Sequence, residues 1–309
     1  MGDTIPFALA RPQQLAGILK MRSRLSLAEQ IALAFCAYVM CTALWWHLPA
    51  RDLGVILALN AMSMTTMMAL SRNWQRAPWL AAAHDLFPAL FILVAYRESG
   101  LLLAPDHAHR LDQVFIQWDR ALLGSGFVRT VLVAGAPWLQ HYLEFAYLLC
   151  YPLVPLGVAA IHFSSRRSEA GGPAAYGRRP MDVFWVPVLL ATLFCYAVCP
   201  FFPLTPPRVL FGDLPGPQVA PLLRKLNFWL LDHYSVHACI FPSGHVAAVT
   251  AVALAVRKHA PRLGALFLFL AASVALATIY GRYHYAADAV AGALVGVAAI
   301  WVSRWSWGK

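Results

Sequence analysis

Apolar runs too long for most soluble cores recur along this chain, separated by short polar or basic connectors. They fall at about residues 27 to 48, 52 to 71, 79 to 97, 138 to 163, 182 to 200, 244 to 257, 263 to 281 and 284 to 303. About 20 apolar residues in a helix cross the roughly 30 Å hydrocarbon layer of a bilayer, where each backbone amide must find its partner within the protein. The pattern therefore predicts an all-α fold, a polytopic membrane helical bundle of about eight spans. Only Leu48-Pro49-Ala50-Arg51 separates the first two runs, which predicts a tight hairpin.

Charge supports the same class. The sequence is 60% hydrophobic and 12% charged, with a formal net charge of +10. In a soluble chain that excess would suit nucleic acid, but here Lys and Arg gather between the apolar runs, as they do in membrane proteins. Nucleic acid is thereby excluded as a partner and the membrane takes its place. With the N-terminus inside, 15 of the 24 Lys and Arg are cytoplasmic, which satisfies the positive-inside rule. Residues 1 to 26 read as a cytoplasmic leader and 27 to 309 as a single membrane domain with its core at about 79 to 303. The first apolar run is too long for a cleaved signal peptide. Between 98 and 137, Asp106, His107, His109, Arg110, Asp112, Asp119, Arg120 and Arg129 interrupt bulky apolar residues. This stretch predicts an outward-facing surface or re-entrant helical element. Residues 164 to 181 predict a flexible basic connector.

Two histidines and a carboxylate stand at the mouths of apolar helices, where an idle ionisable group is costly. His284 and Asp288 are four apart and share a helical face. A carboxylate that holds one imidazole nitrogen fixes the tautomer and frees the other nitrogen to attack, which is what a histidine nucleophile needs. Alone, the pair reads as a structural pair capping a helix start. Pro242-Ser243-Gly244-His245 adds a capping serine, a glycine permitting close backbone approach, and free amides at a helix start that favour an anion. His245 on the same turn is placed to protonate a leaving oxygen. Phosphate also calls for fixed cations, and Arg208 and Arg282 are the candidates.

Together these stretches resemble the second and third motifs of the type 2 phosphatidic acid phosphatase superfamily of membrane lipid phosphatases and phosphotransferases. The resemblance implies that His284 is phosphorylated, Asp288 orients it, His245 protonates the leaving group, and Ser243 and Gly244 hold the phosphate. Two departures are visible: Thr278 stands where the third motif usually carries arginine, and Phe201 where the first motif usually carries lysine. Pro206-Pro207-Arg208 and His284-Tyr285-x2-Asp288 instead resemble the inositol phosphorylceramide synthase branch. Asp85-x2-Pro88, Tyr96, Asp119-Arg120-Ala121-Leu122-Leu123-Gly124, Tyr147 and Tyr151 are similar to that branch as well.

The reading is a lipid head-group phosphotransferase acting on a phospholipid or lipid phosphate, with a lipid hydroxyl as acceptor. With water as acceptor the same nucleophile gives a lipid phosphate phosphatase. A third reading is a lipid-binding or transport protein without chemistry. The site faces the non-cytoplasmic side. No cofactor and no metal is called for: His233-x3-His237 has ligand spacing but no carboxylate or cysteine in register. The six cysteines imply no disulfide framework, and only Cys199 and Cys239 could share an aqueous face. His141 and Glu144 could line an acceptor pocket or form an intramembrane pair, and Asp119 with Arg120 reads as a structural ion pair.

Overall fold

In a computed structural model of the chain, the described residues are 25–103, 111–124, 137–169, 180–212, 221–236 and 238–307. Most of the leader, His237, Asp106, His107, His109, Arg110 and Arg129, and residues 170 to 179 of the basic connector lie outside them. The described residues are all-helical, without strands. The longer helices are α1 (Leu27–Trp45), α2 (Ala50–Asn73), α3 (Pro78–Leu101), α4 (Asp112–Leu123), α5 (Pro137–Leu148) and α6 (Leu153–Glu169). After them come α7 (Pro180–Val198), the single turn α8 (Pro207–Leu210), α9 (Pro221–Tyr234), α10 (Gly244–His259), α11 (Pro261–Tyr280) and α12 (Ala286–Trp307).

Among the described residues, six helical segments are long and apolar enough to cross a bilayer, or seven if the bent pair α5–α6 counts as one span. This trims the eight predicted spans in two places. The run at 138 to 163 breaks between Leu148 and Leu153, and its halves meet at 72°. Pro152 stands at the break, and without an amide hydrogen it cannot continue the helical ladder. The run at 244 to 257 becomes α10, whose 16 residues span only about 24 Å at 1.5 Å per residue.

The bundle is organised around α10. It packs against α6, α7, α11 and α12, and Val246 to Val249, Ala251 to Ala253, Ala255 and Val256 are buried on all its faces. A helix apolar all round belongs inside a larger assembly, and its small side chains let neighbours come close. A Cβ at Gly292 of α12 would lie 2.5 Å from the Ser243 carbonyl oxygen. Glycine is therefore required for α12 to rest against the start of α10. At the opposite end of the bundle, α1 begins with a capping box: Ser26 Oγ accepts the Glu29 amide at 3.2 Å, and the Glu29 carboxylate accepts the Ser26 amide at 2.6 Å.

Candidate active site

The site forms where α10 and α12 begin and α11 ends. Ser243 caps α10, its hydroxyl accepting the Val246 amide at 3.4 Å, while its own amide donates to the Asp288 carbonyl at 3.1 Å. A Cβ at Gly244 would meet the Tyr196 ring at 2.7 Å, so glycine lets the serine turn seat against α7.

His284 sits in a turn whose geometry follows from the end of α11. The Tyr283 amide donates to the Thr278 carbonyl at 2.9 Å and the Arg282 amide to the Ile279 carbonyl at 3.1 Å, the two bonds of a Schellman motif. Arg282 takes the left-handed position of that motif, at φ 61°, where glycine is usual. The same Thr278 carbonyl accepts the His284 amide at 3.2 Å. Thr278, standing in place of the arginine of the related motif, is buried with its hydroxyl on the Ala275 carbonyl.

From this turn the His284 ring faces Asp288, Ser243 and the Ile240 backbone, and Nδ1 makes no hydrogen bond of good geometry among the described residues. Nδ1 lies 3.4 Å from the Asp288 carboxylate, and Nε2 lies 3.3 Å from the Ser243 hydroxyl. Asp288 is fully buried, and the oxygen facing His284 also accepts the Tyr285 amide at 3.0 Å. His284 lies between the membrane-spanning helices; burial, and then the Arg208 guanidinium, hold its imidazole well below the usual range, at about 3. The ring is thus neutral, with Nε2 directed at the serine turn. The His245 ring is 6.1 Å from that of His284, and Tyr147 and Tyr151 flank it at 6.3 and 5.8 Å. Arg208, Gly244, His245 and His284 line one cavity together with Tyr96, Tyr147 and Tyr196.

Outer elements hold this arrangement. The Arg208 amide donates to the Arg282 carbonyl at 2.8 Å, which seats α8 on the histidine turn, and its guanidinium reaches the Ser235 hydroxyl at 3.3 Å. Arg282 itself is not among the residues lining the cavity; its guanidinium donates to the Phe211 carbonyl at 3.3 Å. Of the stretch from 98 to 137, residues 112 to 123 form the helix α4. Asp112 accepts the Thr205 amide at 2.9 Å, and Asp119 accepts the Ala286 amide at 2.6 Å, so α4 ties the proline-rich approach to Arg208 to the start of α12. Asp119 thus serves α12 as a cap. Burial, reinforced by the Asp288 charge, pushes its carboxyl up to about 6, against the pull of the Ala286 and Ala287 amides.

Glu144 corrects the expectation of a pair with His141. His141 is exposed and bonds the Pro137 carbonyl at 2.8 Å. Glu144 is buried and takes Arg224 at 2.6 Å, Asn227 at 2.8 Å and the Tyr283 hydroxyl at 2.9 Å. Neither Arg224 nor Asn227 carried any mark in the sequence, because their partner is about 80 positions away. Cys199 and Cys239 are bonded, with Cα atoms 5.3 Å apart, where the sequence implied no framework. The end of α7 and the approach to α10 meet only in three dimensions.

Residues 113–302 match the family model described as the PAP2 superfamily, more than half of the chain. The chain belongs to the PAP2 superfamily. No curated protein and no solved structure matches it. Membership makes this a lipid enzyme of the phosphatase or phosphotransferase type. The PAP2 match includes the serine turn, the histidine turn, α8 and nearly all of α4, and begins after α3. Tyr96 of α3 reaches the cavity from outside it, its hydroxyl accepting the Val236 amide at 2.7 Å.

Proposed function

We propose that the chain is a membrane-embedded lipid head-group phosphotransferase that works through a phosphohistidine intermediate. The observation that carries the reading is the His284 ring, set with Nδ1 toward Asp288 and Nε2 toward Ser243, in one cavity with His245 and Arg208. A nucleophilic nitrogen, an orienting carboxylate, a proton donor and a phosphate cation are the parts a two-step transfer requires.

In the first step His284 Nε2 attacks phosphorus, the bond from phosphorus to the lipid oxygen breaks, and His245, which takes up a proton as the anionic phosphate enters the cavity beside it, gives that proton to the departing oxygen. Arg208, the Ser243 hydroxyl and the amides at Gly244 and His245 hold the equatorial oxygens. Arg282 stands behind Arg208 and supports it through its carbonyl. In the second step the hydroxyl of an acceptor lipid attacks the phosphohistidine and passes its proton to His245, which restores both histidines. The preference for a lipid acceptor over water rests on the likeness of Pro206-Pro207-Arg208 and His284-Tyr285-x2-Asp288 to the inositol phosphorylceramide synthase branch. The site is assigned to the non-cytoplasmic face by the distribution of Lys and Arg, and the Cys199–Cys239 bond beside the cavity supports that side, since disulfides persist in oxidising compartments.

Purified protein is to be incubated with labelled phospholipid, with and without candidate acceptor lipids, and the products separated. The expected product is the phosphorylated head group on an acceptor lipid. Free phosphate or a free phosphorylated head group as sole product, whatever acceptor is offered, rejects transfer in favour of hydrolysis. His284→Ala is expected to lose turnover by at least about 1,000-fold, with no phosphoenzyme trapped. Full turnover in that variant sinks the histidine mechanism, and lipid binding without turnover in the wild type favours a carrier.

A further inference from the structure

We propose that the Tyr147 hydroxyl is a further catalytic group, donating a hydrogen bond to a non-bridging oxygen of the phosphoryl group as it passes to and from His284. The inference rests on His284 being the nucleophile.

Tyr147 is fully buried, and among the described residues its hydroxyl makes no hydrogen bond of good geometry, although the Tyr151 side chain lies close to it. An unmade bond at a buried hydroxyl is costly, and the great majority of buried polar groups avoid that cost. The residue lines the cavity that Arg208, His245 and His284 also line, so the unsatisfied donor stands in the same chamber as the reacting nitrogen. Its ring is held in place. Tyr283 packs against it with centroids 4.0 Å apart, Tyr151 meets it edge-on at 6.5 Å, and Tyr283 is itself held by Glu144. A rigid, desolvated donor aimed at developing charge contributes more than a mobile one, because nothing has to reorganise when the charge appears.

The chemistry of the chamber also leaves work for such a group. The two non-bridging oxygens of a head-group phosphodiester need several donors between them. Thr278 offers none, with its hydroxyl on Ala275 and its carbonyl taken by the Tyr283 and His284 amides. A phenol supplies a hydrogen bond without adding a second full charge to a buried site, and it keeps its proton throughout, so the balance of the two transfer steps is unchanged.

Tyr147→Phe removes this one hydroxyl and keeps the ring. With labelled phospholipid, kcat/KM is expected to fall about 100-fold, and inhibition by orthovanadate, a mimic of the five-coordinate phosphorus, to weaken by a similar factor. The thermal midpoint in detergent should stay level, because among the described residues the lost hydroxyl makes no hydrogen bond of good geometry. Turnover and orthovanadate inhibition both within twofold of wild type overturn the proposal. So does a fall in turnover with unchanged orthovanadate inhibition, which places the hydroxyl away from the phosphoryl group, or a lowered midpoint, which assigns it to the fold. His284→Ala measured alongside separates the two claims. Activity in that variant removes the nucleophile itself, whereas an inactive His284→Ala with a normal Tyr147→Phe removes only the role of Tyr147.

Discussion

The helices α2 and α10 are both apolar, yet they occupy opposite environments. In α2 the buried residues are Ile56, Asn60, Ser63 and Met67, a single stripe at helical spacing, and the other faces are largely exposed. In α10 buried residues lie on every face. To the hydrophobic pattern the two look alike, because lipid tails and a protein interior are both apolar surroundings. What separates them is side-chain size: α2 carries Leu and Met outward, whereas α10 is built from Ala and Val, which permit close approach on all sides. The chemistry is mounted at the mouth of the crowded helix and braced by neighbours that cannot shift independently.

That contrast can be attacked at graded strength. The heaviest blow falls on the brace. Glu144→Gln breaks the buried pair with Arg224 and should cost about 3 kcal/mol of stability. Tyr283→Phe alone should cost about 1 kcal/mol, and the double variant less than the sum, because both act on one network. Additive losses in thermal unfolding show instead that the histidine turn does not depend on Glu144. Next comes the close approach of α12 to α10. Gly292→Ala places a Cβ 2.5 Å from the Ser243 carbonyl and should cost roughly 1–3 kcal/mol, with turnover falling at least about tenfold as Asp288 moves off the serine turn. The same change at Gly54 of α2, where a Cβ would meet nothing within 4 Å, should gain up to about 1 kcal/mol. Equal losses at the two glycines erase the distinction between the helices. The smallest test is Arg282→Gly, which relieves a left-handed position worth about 1 kcal/mol; a loss of stability there means that the contact of its guanidinium with Phe211 outweighs the backbone strain.

Much of the site was legible because its parts are local. The Ser243 cap and the His284–Asp288 pair are sequence-near features; Ser243 caps α10 as its place implies, whereas His284 meets Asp288 from the turn before α12 and not from the helical face that the spacing predicts. The serine turn faces His284 from 41 positions away, a meeting that the motif pairing anticipated. The bracing was not legible. Glu144 pointed to the histidine three residues earlier, yet α9 brings Arg224 and Asn227 to it, and nothing in the local sequence distinguishes those two residues from the other polar residues of that helix. The bend between α5 and α6 was hidden because hydropathy runs through Pro152 uninterrupted. Asp119 was visible as a charge in the outer element, but its use as a cap on α12 depends on how α4 lies across the bundle. Hydropathy likewise could not rank the spans by depth, so the central position of α10 came only from packing.

The bond between Cys199 and Cys239 closes residues 200 to 238 into a covalent ring, and Arg208, Arg224 and Asn227 all ride within it. A single cut anywhere in that arc leaves one molecule rather than two. A protease that reaches this arc should therefore produce nicked chains that run as one species until a thiol is added, with the severed loop still tethered at both ends beside the histidines.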